Sequence, residues 1–309
     1  MRVLITCPPM LGMIEAFTER FRRAGVETTC PPVVQTLSVE ELIHLVPEHD
    51  GWIIGDDPAT RAVFAAGSRG RLKAAVKWGI GIDNVDFAAA KEFNIPVANT
   101  PNMFGAEVAD VVTCYVIGLA REVFWIDRQV RNGDWPKPRG MSLQGKRVAL
   151  VGYGDIGKHV AKRLAVLGMN VVVYDPLLKG KPVEVSTAEW PERLEEADFV
   201  IFTCALTLEN RHMLNQQTLQ RTKRGVRVVN CARGPLIDEA ALVEALQRGW
   251  LHSVALDVFE KEPLPLDSPL RKMERCILGA HNGSNTREAV QRASEKAMDQ
   301  LFGFLGIEG

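Results

Sequence analysis

Cysteine is scarce in this chain and scattered: Cys7, Cys30, Cys114, Cys204, Cys231 and Cys276 are all there is among 309 residues. No CxxC pair occurs, and no Cys/His group has zinc spacing, so a zinc module and a disulfide scaffold are both excluded as readings. Free cysteines in apolar runs, such as Cys204 and Cys231, behave as small hydrophobes, and the pattern predicts a reducing, cytoplasmic setting. Charge of one sign is not in excess either. The formal net charge is -1, which offers no basic footprint for nucleic acid and no polybasic surface for a membrane. Long apolar runs are missing as well. The most apolar segment, residues 108–120, contains Asp110 and is too short to span a bilayer. The N-terminus MRVLITCPPM carries one cation and a short apolar run, and reads as a first strand rather than a signal peptide. No repeat of solenoid period and no low-complexity tract occurs.

What remains is an ordinary globular composition, 46% apolar and 24% charged, in a chain long enough for two domains. The first part alternates. RVLIT, GWIIG, LKAAVKWG and IPVAN read as strands, while MIEAFTERFRRAG, closed by Gly25, and VDFAAAKEFNI read as helices. Residues 105–132 predict one long helix, apolar on several faces. It is either buried between domains or a subunit interface, because a helix hydrophobic all round must be covered. GDWPKPRGMSLQGK follows as a loop. From Lys146 a second alternation begins, with KRVALVGYG, MNVVVYDP, DFVIFTCAL, VRVVNCARG, SVALDVF and RCILGAHNG as strands. The fold class expected is therefore α/β, with parallel sheets covered by helices.

The sharpest local motif is VALVGYGDIGKHVAKRLAVLGMNVVVYD. Gly152, Gly154 and Gly157 form GxGxxG directly after a valine-rich strand and at the start of a helix, with Asp155 and Ile156 between them. The first glycine allows the tight turn, the second lets backbone approach a pyrophosphate, and the third lets helix and strand pack closely. The helix N-terminus adds unpaired N–H groups and a positive dipole end. Asp175 closes the next strand at the spacing of about 20 residues that such sites use. An acid there accepts from the ribose hydroxyls and repels a 2′-phosphate. No arginine follows it, although Lys179 is near, so NAD rather than NADP is expected.

Three more motifs lie downstream, each at a strand end: NCARGP with Arg233, LDVFEKEP with Glu262 and LGAHNGS with His281. Open parallel sheets bind ligands beyond the carboxyl ends of their strands. Hydride transfer to a 2-oxo acid needs a cation for the carboxylate and carbonyl oxygen, and the arginine fork suits that bidentate geometry. It needs a proton donor for the forming alkoxide, and histidine suits. A carboxylate beside the histidine would orient it. Taken singly, each residue has an ordinary reading: a surface cation, a solvated loop acid, a hydrogen-bonded structural histidine. Taken together, downstream of a dinucleotide loop, they read as a catalytic set.

These segments carry a resemblance. KWGIGIDNVDFAAAKEFNIPVANTP, LVGYGDIGKHVAKRL, VVNCARGPLIDEAALVEAL, ALDVFEKEP and LGAHNGSNT, in this order, resemble the D-isomer-specific 2-hydroxyacid dehydrogenases, most closely the phosphoglycerate dehydrogenase branch. The resemblance implies two Rossmann-like domains, a flavodoxin-like substrate domain from residues 1–100 plus 285–309 and an NAD-binding domain from residues 101–284. It implies Arg233 as the substrate arginine, His281 as acid/base and Glu262 as its paired carboxylate. Asp257 would sit by the nicotinamide, with Cys204, Cys231 and Ala232 in the cofactor wall. Lys77 and the backbone amides of Ile80 and Gly81 would hold the substrate, and residues 105–132 would form an interdomain and homodimer helix. The implied activity is NAD-dependent interconversion of a D-2-hydroxy acid and its 2-oxo acid, D-3-phosphoglycerate being the substrate expected first. The alternatives are a glyoxylate, hydroxypyruvate or phosphonate-type reductase, or an NAD(H)-sensing binding protein akin to related corepressors. The chain departs from the family pattern in three places. It has Thr203 to Thr207 where His-x-Pro-Leu-Thr is frequent, Lys77 where the phosphoglycerate branch often has arginine, and the acids Asp56 and Asp57, with Arg61 close by, where a phosphate site would prefer cations.

Overall fold

The structure, a computed structural model, describes residues 1–178, 180 and 185–307. Lys179, noted above beside the cofactor acid, lies outside the described residues. The chain divides into two compact units, Met1–Met103 with the segment from Asn285 onward, and Phe104–Ser284.

The first unit is built on a five-stranded parallel sheet in the order β2-β1-β3-β4-β5, from Arg2–Ile5 (β1), Glu27–Thr29 (β2), Gly51–Ile54 (β3), Ala74–Lys77 (β4) and Val97–Asn99 (β5). This is the flavodoxin-like order. Strands β3 and β4 are buried at every position, as expected where helices cover both faces. That is why they read as plain apolar runs. The C-terminal helix Arg287–Leu305 returns to this unit. Its Leu301 and Leu305 press on Gly51 where any side chain would meet them, Ser294 Oγ accepts from Trp78 Nε1 at 3.0 Å, and Phe302 packs edge-on against Phe21.

The second unit carries a seven-stranded parallel sheet in the order β12-β11-β10-β9-β6-β7-β8. Its strands are Arg147–Val151 (β6), Asn170–Tyr174 (β7), Ser186–Thr187 (β8), Phe199–Phe202 (β9), Val226–Asn230 (β10), Leu251–Leu256 (β11) and Ile277–Leu278 (β12). Strand order reverses between β6 and β9, the switch point at which dinucleotides bind in such sheets. Core side chains such as Phe202, Leu214, Val228, Leu236 and Leu270 are fully buried on one side of this sheet. Arg227, in the middle of β10, is also buried; its guanidinium stacks over Phe199 and Nε donates to Leu119 O, and burial lowers its pKa.

One expectation fails. Residues 105–132 are not a single helix but two, Gly105–Arg121 and Val123–Arg131, broken at Glu122 with φ +56°. The cause is tertiary. Gly118 is packed so tightly on the Phe124 ring that a Cβ would lie 2.6 Å from it, and the Glu122 carboxylate turns inward to within 3.4 Å of His252 and 3.9 Å of Arg275. No residue of the second helix is buried within the chain. Two short strands, β2 and β8, were not signalled by the sequence, each being too short to show a period.

Asp50, just before β3, ties the amino-terminal edge of the first sheet together. Its carboxylate, 4% exposed, accepts from Arg2 N (2.9 Å) and Arg71 (2.8 Å) and pairs with Lys73 (3.3 Å). Burial would raise its pKa, but these donors outweigh burial and hold it at about 2. A depressed carboxylate stabilises the fold above the ordinary carboxylate range, and the contribution fades as pH falls toward its folded value. Asp50→Asn is therefore expected to cost about 1–3 kcal/mol in urea unfolding at neutral pH, with the gap closing near pH 2. An equal gap at both pH values would contradict this role.

Candidate active site

The glycine loop follows β6 in the second unit. Gly152 has φ +95°, and a Cβ on it would lie 2.6 Å from Cys204 N. Gly157, in the first turn of the helix Asp155–Val166, approaches the preceding strand so closely that a Cβ would meet Gly152 O at 2.1 Å. Nothing lies within 4 Å of the place a Cβ on Gly154 would take. The three glycines thus have three different reasons: a left-handed turn, an open approach, and a helix packed onto its own strand. Asp155 opens the helix, its carboxylate lodged against Gly105 with no room there for a side chain; Ile156 follows it half-buried.

Asp175 stands at the end of β7 with its carboxylate over the loop. Oδ2 accepts from Tyr153 N at 2.7 Å and Oδ1 from Leu177 N at 2.8 Å. Thr203, first of the residues that depart from the family pattern, donates to Gly152 O at 2.9 Å. Cys204 follows it, wedged against the first glycine, and burial pushes its thiol up to about 12. The donor set fits a dinucleotide: unhindered N–H groups at a helix N-terminus for the pyrophosphate, and a carboxylate beside the loop for the ribose.

The ends of β10, β11 and β12 bring the remaining residues into one place. Arg233 ends the loop after β10, extended, with its Nη1 on Ala232 O at 2.9 Å. Asn230, 1% exposed, shapes that loop, since its side chain accepts from Ala232 N (3.0 Å) and donates to Arg233 O (2.8 Å). Gly234 then runs against the loop after β11, where a Cβ would sit 1.9 Å from the Phe259 carbonyl. From that second loop Glu262 accepts from Phe259 N at 2.9 Å with Oε1, and from His281 Nδ1 at 2.7 Å with Oε2. The pair is mostly sheltered, with the His281 and Glu262 side chains 22% and 19% exposed.

His281 itself has φ +52°, a conformation that costs a non-glycine residue about 1–3 kcal/mol. Asp257 holds it there. Its carbonyl accepts from His281 N at 2.7 Å, while its buried carboxylate accepts from Gly283 N (2.8 Å) and Asn282 N (3.2 Å). Tyr115, from the helix Gly105–Arg121, reaches the same carboxylate at 3.5 Å. A Cβ on Gly279 would strike both the Tyr115 hydroxyl (2.5 Å) and the Asp257 carboxylate (2.2 Å). Cys231 and Ala232 are buried beneath the Arg233 loop.

Lys77, Ile80 and Gly81 belong to the first unit, at the carboxyl end of β4. Ile80 is exposed. Lys77 is not; its ammonium is bonded inside the unit to Gly55 O and Asp56. Sequence reasoning assigned no role to Asn230, Tyr115 and Gly279, of which Asn230 stood out as a polar residue closing a run of valines, and it had Gly234 only as part of the NCARGP turn.

The chain matches the family model described as D-isomer specific 2-hydroxyacid dehydrogenase, NAD binding domain, over residues 113–283. It is 34% identical over 277 residues to a hydroxypyruvate reductase of Thermotoga maritima, covering 88% of this chain and 90% of that protein. It is also 34% identical over 276 residues to a D-3-phosphoglycerate dehydrogenase of Methanocaldococcus jannaschii, covering 87% of this chain but only 52% of that longer protein. The crystal structure of the TT0316 protein from Thermus thermophilus superimposes with a TM-score of 0.87 at 33% identity, covering 99% of this chain and 97% of that one. With the glycine loop, the acid at the end of β7 and the Glu262–His281 pair in one unit, these matches make the chain a member of the D-isomer-specific 2-hydroxyacid dehydrogenases, NAD-dependent oxidoreductases.

Proposed function

We propose that this chain interconverts a short D-2-hydroxy acid and its 2-oxo acid with NAD, using Arg233, Glu262 and His281 as its catalytic residues. The observation that carries the reading is the 2.7 Å hydrogen bond between Glu262 and His281 at the strand ends where the Arg233 loop also terminates. Gly152, Gly154, Asp155, Ile156 and Gly157 hold the cofactor pyrophosphate, Asp175 the ribose, and Cys204, Cys231, Ala232 and Asp257 line the remainder. Bound there, NADH would supply the hydride in the reductive direction. Arg233 offers its planar fork to the substrate carboxylate and carbonyl oxygen, drawing electron density from the carbon to be reduced. Glu262 accepts from His281 Nδ1, which leaves Nε2 as the nitrogen that gives its proton to the forming alkoxide. In oxidation the same nitrogen takes the proton from the hydroxyl.

The similar proteins are named for hydroxypyruvate, D-3-phosphoglycerate and glyoxylate, which supports a short 2-oxo or 2-hydroxy acid as the substrate. We also propose a cytoplasmic homodimer. All six cysteines are free, in keeping with a reducing compartment. Ile117, Val123, Val130 and Trp135, along and just after the two helices, are 37%, 49%, 41% and 77% exposed, an apolar set that a second copy would cover. No helix among the described residues is long and apolar enough to cross a membrane.

Two variants test the reading. His281→Ala should lower kcat/KM for NADH oxidation by about 10²–10⁴-fold, the usual worth of a positioned acid/base, with NADH affinity by fluorescence titration unchanged; a rate near that of the wild type removes His281 from the chemistry. Asp175→Ala should narrow the preference for NADH over NADPH by about tenfold or more, because the charge that repels a 2′-phosphate is gone. An unchanged preference would move cofactor discrimination elsewhere.

A further inference from the structure

The loop after β9 touches both sets of strand ends in the second unit. It begins at the glycine loop, where Thr203 donates to Gly152 O and Cys204 packs on Gly152. It ends at His212, Met213 and Leu214, beside the loops after β10 and β11. The His212 N–H donates to Pro235 O at 2.8 Å, two residues beyond Arg233. The imidazole Nε2 donates to Glu260 Oε1, two residues before Glu262; the neutral Nε2–H tautomer and the imidazolium can both do so. Further bonds extend each contact. Leu214 N donates to Leu236 O (3.1 Å) and Asp238 N to Leu214 O (2.9 Å). Glu260 N donates to the Glu239 carboxylate at 3.3 Å, from the first turn of the helix Glu239–Gln247. His212 holds a left-handed backbone, φ +53°, and its side chain and that of Glu260 are 37% and 31% exposed.

The packing of Gly234 on the Phe259 carbonyl sets how near the Arg233 and Glu262 loops come. Such contact has little directionality, whereas a hydrogen bond weakens steeply off its line and so fixes register. His212 supplies directional bonds to both loops from one residue. Its backbone holds the Arg233 loop and its imidazole holds the Glu262 loop, so sliding one loop along the other must break one of the two bonds. Hydride transfer is sensitive to that movement. The acid held by the arginine fork must also meet the histidine, and a misplacement of about 1 Å can cost about a hundredfold in rate. We propose that His212, acting with Glu260, is a positioning residue for the dehydrogenase reaction, clasping the Arg233 loop to the Glu262 loop and so fixing the arginine fork relative to the Glu262–His281 pair. This role presupposes that Arg233, Glu262 and His281 are the catalytic set.

The test is NADH oxidation by the full-length protein with hydroxypyruvate, glyoxylate and phosphohydroxypyruvate, beside NADH affinity by fluorescence titration. His212→Gly removes the imidazole alone, since glycine adopts a left-handed φ freely and keeps the N–H on Pro235. With the acid that the wild type reduces fastest, it should lower kcat by about ten- to a hundredfold and leave NADH affinity within about twofold. His212→Gln puts an amide donor near the place of Nε2 and should return kcat to within about threefold of the wild type, although a left-handed backbone suits glutamine less well than glycine. Glu260→Ala should lose as much as His212→Gly, and the double variant little more than either, because both remove the same bond. A side chain needed only for folding would make the losses follow the urea midpoint, with glutamine no better than glycine, and that result overturns the clasp. Wild-type kcat in His212→Gly overturns it too, as do losses that multiply in the double variant. If His212→Gly does not fold, wild-type kcat in Glu260→Ala overturns the clasp and a loss rescued in His212→Gln relative to Glu260→Ala upholds it. A wild type that oxidises NADH with none of the three acids contradicts the dehydrogenase reading and takes the clasp's role with it, an outcome distinct from an active wild type with equally active variants.

Discussion

The second unit depends on one close passage of backbone past backbone. Gly234 lies against the Phe259 carbonyl with no space for a methyl group, and this contact brings the loop after β10 beside the loop after β11. The placement of Arg233 beside the Glu262 loop follows from it. Arg233 precedes the glycine, and Glu262 stands three residues beyond the phenylalanine, bonded back to its N–H. The third loop is brought in by hydrogen bonds rather than by close packing. Asp257 grips the N–H groups of His281, Asn282 and Gly283 through its carbonyl and carboxylate, and Glu262 takes the imidazole. The left-handed backbone of His281 is strained by about 1–3 kcal/mol. The charge-assisted or buried hydrogen bonds on this loop, each worth about 0.5–3 kcal/mol, are enough to hold it there.

Under the proposed function, such an arrangement separates binding from chemistry along one sheet. The glycine loop and Asp175 occupy the ends of β6 and β7, on one side of the switch point between β6 and β9. The Arg233, Glu262 and His281 loops occupy the ends of β10, β11 and β12 on the other. A group anchored at the first set and extending across the switch point would present its far end to the second. The parallel sheet is what makes this possible, because all of its strands deliver their loops to the same edge.

Much of this was legible in the sequence, for identifiable reasons. Buried parallel strands appear as short apolar runs, so VALV, FVIF and VRVV announced themselves. The glycine loop was legible because each glycine answers a separate steric demand, visible in the order of its neighbours. Glu122 was not legible. Nothing in a run of good helix formers signals a left-handed glutamate; the break is set by Phe124 packing on Gly118 and by His252 and Arg275, which are distant in sequence. Lys77 shows the same limit. The family resemblance implied a cation offered to the substrate, but its partner Asp56 is 21 residues away, and only folding reveals that the two are bonded. Nothing in the sequence distinguishes Tyr115 from its apolar neighbours on the helix, whereas its hydroxyl meets the carboxylate that holds the histidine loop.

Under the proposed function, Arg233 is aimed at a substrate carboxylate by the backbone around it, and it acts through its fork rather than its charge alone. The most direct measurement is NADH oxidation by Arg233→Lys beside its NADH affinity. NADH affinity is expected within about twofold of the wild type, with a loss of kcat/KM of about a hundredfold or more, since lysine keeps the charge but not the bidentate geometry. Turnover equal to that of the wild type would contradict it.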